Sequence, residues 1–419
     1  MDARRFFCVF GTGIDVRKNT YTADMEILKE TKTMQESMRM DRRYFHENAE
    51  LGFQLPKTSA YVFNRLKSMG YTPKRLGRCA LTAEIGVGER CFLLRADMDA
   101  LPIKEQSGQP FSCAYGNMHA CGHDLHTAIL LAVAELLKRR EADLKGRVRL
   151  LFQPAEETLE GAKYCIKKGC LDGVSAAMML HVLPLSAYPT GTVIVSSAGV
   201  SAPAADFFDL NFYGKSCHGS SPWQGVDAIL LGAKSLLALE TLSSREFSSS
   251  VPMSLTIGQF HAGEADNVLA SKAVLSGTLR AMSEETRAAV KKRMGEIVTA
   301  TAKSLRGRAK ITYKSGCPCL ENDEKLSALA QQAAKDAIGG ERVYASVDFP
   351  KGGVGGSEDF AYISQAVPSV MVGLCAGEKG LAEPLHSPRV RFEEKAMPYG
   401  AAVLLSSAFQ YFLENTAHK

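Results

Sequence analysis

The spacing of hydrophobic and polar positions along the chain predicts that strands and helices alternate. Short apolar runs at residues 90–96, 147–152 and 176–181 are typical of buried strands. Residues 61–69 and 125–137 carry apolar side chains at the spacing of amphipathic helices, and the first of these ends at a glycine. Alternation of this kind favours a largely parallel sheet covered by helices on both faces, so we expect an α/β fold.

The pattern changes near residue 202 and changes back near residue 315. Between these two points, strand-like and helical segments follow the order β-α-β-β-α-β, which is typical of a small two-layer α+β domain. In chain order the segments are residues 207–213, 227–242, 254–260, 273–280, 283–305 and 309–313. We therefore expect a catalytic domain built from residues 25–201 and 315–419, with an inserted domain at residues 202–314. A helical pattern begins near Met25 and runs through Phe45, so residues 1–24 are expected to be a loose extension.

Composition narrows the class of protein. A length of 419 residues favours two domains, and 46% hydrophobic with 23% charged residues is typical of a soluble globular protein. The net charge of +5 is weak for this length, and the Lys and Arg residues are scattered among acidic ones, so we expect no nucleic-acid partner. The cysteines number eleven and are widely spaced, and no apolar run reaches the roughly 18 residues of a membrane span. We expect a cytoplasmic protein with free thiols and no membrane association.

Residues 119–126 read HACGHDLH and combine three histidines, a cysteine and an aspartate just before a predicted helix. Alternate residues of extended backbone at this point would direct Cys121 and His123 into one pocket. Thiolate and imidazole groups are good ligands for Zn²⁺ and related ions. A polar loop that caps the helix around a buried cysteine is the alternative, but this density of ligand-type side chains favours a metal site.

Acidic and histidine side chains also follow other predicted strands. Glu156 and Glu157 follow residues 147–152, and adjacent carboxylates repel unless a cation lies beside them. Their side chains should diverge, so that one binds metal while the other faces a reacting water; alone, the pair would be an exposed acidic turn. Asp97 and Asp99 follow another strand end, where open α/β sheets place their sites. His181 ends an apolar strand, a place where a lone histidine is more often structural.

Eight motifs then occur in one order: RADMDALP, HACGHDLH, FQPAEE, the strand ending in His181, KSCHGSSP, GTLR, GSEDF and LHSP. From about Met34 to its end, the chain resembles the metallopeptidase family that includes aminoacylases, hippurate hydrolases and indole-acetyl-amino-acid hydrolases. One motif is a weak signal, but eight in register are specific. The resemblance implies a metal-dependent amidohydrolase that cleaves an N-acyl amino acid to a carboxylic acid and a free amino acid.

The resemblance also implies a set of site residues. Two divalent ions per subunit, Zn²⁺ or Mn²⁺, would be held by Cys121, His123, Glu157, His181 and His386. Glu156 falls on the general base and Asp99 on an aspartate that orients a ligand. Asp124 matches a bridging carboxylate of more distant carboxypeptidases, so the side chain that bridges the ions stays open.

The inserted domain is similar to the family's lid and dimerisation domain, which implies a homodimer. His218 falls on a histidine that reaches the substrate carbonyl, often from the partner subunit, while Asn267 and Arg280 fall on residues that hold the substrate carboxylate. The family commonly has alanine where Cys217 stands, and an Ile-Pro pair where this chain has Leu269 and Ala270. These departures keep the polar side chains but weaken any inference about the substrate.

These residues imply a mechanism for amide hydrolysis. Two ions would share a water and lower its pKa, and Glu156 would take the proton as the water attacks the amide carbonyl. One ion and His218 would stabilise the oxyanion.

A metal-dependent exopeptidase or dipeptidase is the nearest alternative function. A cysteine hydrolase using Cys121 and His123 is a further alternative, and it would resist chelators. A catalytically silent metal-binding protein is the alternative of another class, but it would not need Glu156.

Overall fold

The structure, a computed structural model, describes residues 26–345 and 356–413. The extension predicted at residues 1–24 lies outside these ranges. A turn at Met34 separates helix α1 (residues 26–33) from α2 (Gln35–Glu47), so the helical pattern that begins near Met25 forms two helices instead of one. Within the described ranges, no helix combines the length and the apolar character needed to cross a membrane.

The larger sheet has eight strands in the order β1-β2-β4-β3-β5-β14-β6-β13. Their bounds are β1 Lys74–Arg75, β2 Leu81–Gly86, β3 Cys91–Asp97, β4 Arg147–Gln153, β5 Ala176–Leu183, β6 Val193–Val195, β13 Val343–Tyr344 and β14 Ser369–Cys375. The four central strands, β4, β3, β5 and β14, run parallel to one another. Antiparallel pairs join β1 to β2, β2 to β4 and β14 to β6, so the sheet is mostly but not wholly parallel.

Helices cover both faces of this sheet, as predicted. Alternate residues of β3 point to opposite faces, so that Phe92 and Leu94 join one buried apolar cluster while Leu93 joins another. The covering helices are α3 Pro56–Ser68, α4 His123–Arg139, α5 Gly161–Lys167, α8 Glu324–Ile338, α9 Ala361–Ser364 and α10 Met397–Leu413. The predicted α/β class is confirmed.

A second sheet has four antiparallel strands in the order β11-β8-β10-β9. Its elements along the chain are β8 Ala204–Tyr213, α6 Ala228–Thr241, β9 Met253–Ala262, β10 Lys272–Ala281, α7 Glu284–Ser304 and β11 Arg308–Cys317. This is the predicted β-α-β-β-α-β order, and Phe208, Leu210 and Phe212 of β8 lie in its own apolar core. The domain boundaries at residues 202 and 314 stay a prediction.

The two segments that connect the sheets lie side by side. Strand β7 (Gly199–Ala202) precedes β8, strand β12 (Leu320–Asn322) follows β11, and the two pair antiparallel. In the larger sheet, β3, β4 and β5 end at Asp97, Gln153 and Leu183. Because parallel strands end at the same edge, the polar residues that follow them are brought together there.

Candidate metal centre

The five side chains predicted as metal ligands meet at this edge of the sheet. Ligand atoms lie within 4.8 Å of one another inside each of two groups, Cys121 with His123 and His181, and Cys121 with Glu157 and His386. A third group joins His123 to Glu156 and Glu157. Cys121 belongs to the first two groups, so its sulfur lies within 4.8 Å of a ligand atom of each of the other four residues.

A left-handed turn places the first two ligands. Gly122 has φ +87°, and a Cβ atom built on it would lie 2.3 Å from Cγ2 of Val182. Only glycine adopts this conformation and fits this space without strain. Helix α4 begins at His123, directly after the turn. The extended backbone expected before the helix was therefore wrong, because the turn itself directs Cys121 and His123 into the same pocket.

Backbone carbonyl groups fix the tautomers of two histidines. His123 Nδ1 lies 2.8 Å from the carbonyl oxygen of Asp99, and His181 Nδ1 lies 2.7 Å from that of Val182. A carbonyl oxygen only accepts hydrogen bonds, so Nδ1 carries the proton in both rings and Nε2 offers a lone pair. Among the described residues, the buried Nε2 of His123 has no hydrogen-bond partner, and Nε2 of His181 lies 3.5 Å from Sγ of Cys121.

The two adjacent glutamates leave β4 through a second left-handed turn, which is strained because its residue Ala155 is not a glycine and has φ +59°. The carboxylate of Asp99 accepts from the backbone N–H groups of Glu156 at 3.0 Å and Glu157 at 3.2 Å. Asp99 thus contacts both His123, through its carbonyl, and the turn that carries the glutamates. Oε1 of Glu157 is buried 3.9 Å from Nε2 of His123 and has no hydrogen-bond partner within the described ranges.

His386 completes the group from a loop near the C-terminal end. Its Nε2 lies 3.5 Å from Oε1 of Glu157, and its backbone N–H donates to the carbonyl of Ala120 at 3.0 Å. The residue has φ +66°, a conformation that costs a non-glycine residue on the order of 1–2 kcal/mol and often marks a functional site. About half of its side chain is exposed, so the centre opens to solvent on this side.

Burial sets the protonation of these groups. It raises the pKa of the Cys121 thiol, raises the pKa of Glu157 to about 7, and lowers the pKa of His181 to about 3. A cation would reverse the effect on the thiol and the carboxylate, because it favours their charged forms. Two orphaned buried atoms and a sulfur, nitrogen and oxygen donor set therefore fit divalent metal ions.

Further polar residues, which the sequence did not assign as ligands or catalytic groups, surround the centre. Asp97 lies 2.6 Å from Nδ1 of His126, whose Nε2 accepts from the backbone N–H of Val182 at 2.8 Å, so His126 is occupied in orienting the end of β5. Glu358 and Asp359 form a buried group with Glu156 whose carboxylate oxygens lie within 4.8 Å of one another. The motifs HACGHDLH and GSEDF contain His126, Glu358 and Asp359, but the sequence does not show which groups these side chains contact.

Asp124 faces away from the centre. Its Oδ2 accepts from Nε of Arg42 at 3.1 Å and lies 2.8 Å from Nδ1 of His46, and all three side chains are buried. It belongs to none of the ligand groups found among the described residues. A bridging role for Asp124 is therefore not supported, because its carboxylate already serves a buried ion pair.

The structure separates the three residues predicted on the inserted domain. Arg280, near the end of β10, donates from Nη1 to Oγ of Ser357 at 2.8 Å, next to Glu358. His218 and Asn267 are exposed and lie together beyond the other end of β10, where Gly219 N–H donates to the Asn267 carbonyl at 2.7 Å. The eight residue steps of strand from Lys272 to Arg280 span about 27 Å. One chain thus brings only Arg280 toward the centre.

Comparisons with known proteins identify the family to which the chain is similar. The model of peptidase family M20/M25/M40 matches residues 93–410. The chain is 35% identical over 383 residues to N-acetyl-L-cysteine deacetylase of Bacillus subtilis, covering 90% of this chain and 89% of the relative. It is also 35% identical over 382 residues to IAA-amino acid hydrolase ILR1-like 4 of Arabidopsis thaliana, covering 89% and 85%.

A solved structure shares the fold. It is the YXEP protein of Bacillus subtilis, described as a dinuclear metal binding peptidase, with a TM-score of 0.76, 29% identity, and coverage of 91% of this chain and 99% of that one. The family match extends over most of the chain, including the segments that supply every converging ligand-type side chain. The chain therefore belongs to peptidase family M20/M25/M40 and is a metal-dependent hydrolase of amide bonds.

Proposed function

We propose that this protein hydrolyses the amide bond of N-acyl amino acids, releasing a carboxylic acid and a free amino acid. The observation that carries the proposal is the convergence of Cys121, His123, Glu157, His181 and His386 beside the buried carboxylate of Glu156. The names of two relatives, a deacetylase of N-acetyl-L-cysteine and a hydrolase of IAA-amino acids, support an amide next to an amino-acid carboxylate.

Two ions per subunit fit better than one. The two ligand groups share only Cys121, so His123 and His181 of one group and Glu157 and His386 of the other would hold the two ions together with the Cys121 thiolate. Six carboxylates lie around the centre: Asp97, Asp99, Glu156, Glu157, Glu358 and Asp359. Among the residues that the structure describes, Arg95 is the only arginine that bonds to any of them. Carboxylates gathered this closely would be stabilised in their charged forms by more than one divalent cation. Zn²⁺ suits the thiolate and imidazole ligands, and Mn²⁺ is the second candidate.

The chain's own residues then divide the reaction between them. When bound, the ions polarise the amide carbonyl and lower the pKa of the attacking water. Glu156 takes the proton of that water and delivers it to the departing amine. Its burial and the nearby Glu358 raise its pKa, which suits a group that must hold a proton between the two steps. Arg280 binds the substrate carboxylate, and Asp99 holds the turn on which Glu156 and Glu157 lie.

We also propose a homodimer in which each inserted domain serves the site of its partner. His218 and Asn267 lie at the end of the second sheet opposite to Arg280, so they fit the substrate carbonyl and carboxylate of another copy better than their own. Strand β9 is an edge strand. Near this edge, α6 and the β9–β10 segment expose large apolar side chains: Ile229, Leu230, Leu237, Phe260 and Val268. Exposed apolar side chains on these neighbouring elements support a protein interface at this edge.

The decisive assay measures release of amino acid from acetyl, benzoyl and indole-acetyl conjugates, with dipeptides as the competing class. We expect loss of hydrolysis with a chelator and recovery with Zn²⁺ or Mn²⁺. Glu156→Gln should bind the same amount of metal and lose about 1000-fold or more in kcat. Glu160→Gln, an exposed glutamate in the same segment, is the matched control. Faster turnover of dipeptides would favour an exopeptidase, and chelator-resistant hydrolysis would favour a cysteine hydrolase.

Mixing two inactive variants tests the dimer. Glu156→Gln and His218→Ala homodimers should both be inactive, and after subunit exchange the heterodimer should regain about a quarter to a half of the wild-type activity, because one of its two sites has every group. The absence of any recovery, with exchange verified by mass, would show that His218 does not act on a partner's site.

We further propose a cytoplasmic location, since the ten cysteines in the described ranges are all free.

A further inference from the structure

Arg95 is a buried arginine in the middle of the mostly apolar strand β3. Its side chain is fully enclosed and binds four groups at once. Nη1 donates to Asp97 at 2.7 Å, Nη2 donates to Glu358 at 2.9 Å and to Asp359 at 2.8 Å, and Nε donates to Gln153 at 3.0 Å. The planar guanidinium is suited to this role, because its five N–H groups point in fixed directions.

Two of these partners lie against the proposed general base. Glu156, Glu358 and Asp359 are all buried, and their oxygens lie within 4.8 Å of one another. In the described part of the chain, Arg95 is the only basic side chain within 4.0 Å of Glu358 or Asp359. Carboxylates this close repel one another strongly in a buried environment, so the arrangement depends on the charge that Arg95 supplies.

The segment that carries these carboxylates also reaches the inserted domain. Ser357, the residue before Glu358, accepts a hydrogen bond from Arg280, and Asp359 N–H points to Oε1 of Glu156 at 3.4 Å. Asp359 is held further by Gln153 Nε2 at 2.8 Å and by the backbone N–H of Ala162 at 2.8 Å. Three consecutive residues thus connect the proposed carboxylate anchor to the proposed base.

We propose that Arg95 is a positioning residue for Glu156. It holds Glu358 and Asp359 against each other, and these carboxylates set the place of the Glu156 side chain and the segment that contacts Arg280. This inference rests on the proposed function of Glu156. A lysine at position 95 keeps the charge but has no fork that reaches three carboxylates at once. The segment at residues 356–360 is then expected to move away, and Glu156 to lose its alignment with the amide.

The test compares Arg95→Lys, Glu358→Gln and the double variant with the wild-type holoenzyme. Arg149→Met is the matched control, since Arg149 lies on the neighbouring strand β4, beside Leu93 of β3, and pairs with Glu84 away from the centre. Three quantities are measured: metal content, kcat and KM for an N-acyl amino acid, and hydrogen exchange of the peptide covering residues 356–367. Exchange does not depend on the identity of the substrate.

For Arg95→Lys we expect full metal content and kcat lowered about 100-fold, the effect of a displacement of about 1 Å at a catalytic group. KM should stay within about threefold, because Arg95 does not contact substrate. Exchange at residues 356–367 should rise, and Arg149→Met should match wild type. Glu358→Gln removes one of the competing negative charges, so the double variant should recover about tenfold in kcat over Arg95→Lys.

Three results would overturn the proposal: an Arg95→Lys enzyme within about twofold of wild type in kcat, a double variant no faster than Arg95→Lys, or unchanged exchange at residues 356–367. If Arg95→Lys does not fold, Glu358→Ala removes the same contact from the other side and must show the same rise in exchange. A wild-type enzyme inactive on every amide would reject the proposed function, while the exchange measurements would still decide what Arg95 does.

Discussion

Replacing Gly122 by alanine adds one methyl group at the turn between Cys121 and His123. The new Cβ would lie 2.3 Å from Cγ2 of Val182 and 3.3 Å from the ring of Phe392. Ordinary van der Waals contact begins at 3.4 Å, so Val182 and the turn must separate by about 1 Å (3.4 − 2.3 Å). Val182 follows His181 in β5, and the displacement therefore falls on the ligands themselves.

Two terms contribute to the effect on stability. The positive φ of +87° costs alanine about 1–2 kcal/mol relative to glycine. Overpacking against Val182 adds about 1–3 kcal/mol. The catalytic effect is larger in proportion, because a displacement of about 1 Å at a catalytic centre lowers turnover about 100-fold. We also expect weaker metal retention during dialysis, since Cys121 and His123 would no longer point to the same place as His181.

A substitution at a second glycine separates the conformational cost of the positive φ from the cost of overpacking. Gly116 has φ +81° and is exposed, and a Cβ atom there would have no atom of the described residues within 4 Å. Gly116→Ala therefore carries the conformational cost alone and should keep full turnover and metal content. Val182→Ala removes the methyl group that causes the clash, so Gly122→Ala/Val182→Ala should regain activity over Gly122→Ala. Urea denaturation, metal analysis and kcat are measured for all four variants, and a Gly122→Ala enzyme that behaves like Gly116→Ala would refute the steric argument.

Three further substitutions test other parts of the structure. Arg280→Ala should raise KM for N-acyl amino acids about 10–100-fold, the worth of a charged hydrogen bond, and an unchanged KM would remove Arg280 from carboxylate binding. Asp206→Asn should lower the free energy of unfolding by about 1–3 kcal/mol, because Asp206 is buried and accepts from Nε of Arg287 at 2.7 Å; equal stability by urea denaturation would contradict this. Asp124→Asn should lower it by about 3–5 kcal/mol, since it leaves the buried Arg42 without this partner, and a loss below about 1 kcal/mol would show that the pair is replaceable.

Local sequence patterns predicted most of the larger sheet. The run at residues 90–96 became β3 (Cys91–Asp97), and the amphipathic segment at residues 125–137 became the interior of α4 (His123–Arg139). Both predictions succeed because the pattern of burial repeats within a few residues and needs no distant information. The convergence of three predicted ligands follows from the same sheet, since Glu157 lies just beyond β4, His181 near the end of β5 and His123 at the start of α4. His386 comes from a loop, and no strand end predicts its place.

Features that depend on distant contacts were not visible in the same way. Arg95 stands in an apolar run, and its partner Glu358 is 263 residues away along the chain, so no local spacing indicates a buried ion pair. Asp124 lies inside the most informative motif, yet its partners Arg42 and His46 come from α2. A motif shows that polar side chains are concentrated, but only the fold decides which of them face a metal ion and which satisfy buried charges.

The inserted domain shows this limit most clearly. His218, Asn267 and Arg280 belong to one predicted substrate set, and they lie within 62 residues of one another along the chain (280 − 218). Strand β10 nevertheless holds Arg280 beside Ala205 and its own first residue, Lys272, beside Tyr213, about 27 Å apart. A rigid antiparallel strand cannot bring both of its ends to one small substrate. If all three residues act on the same amide, the substrate must lie between two copies of this sheet, and the proposed dimer follows from the length of a strand.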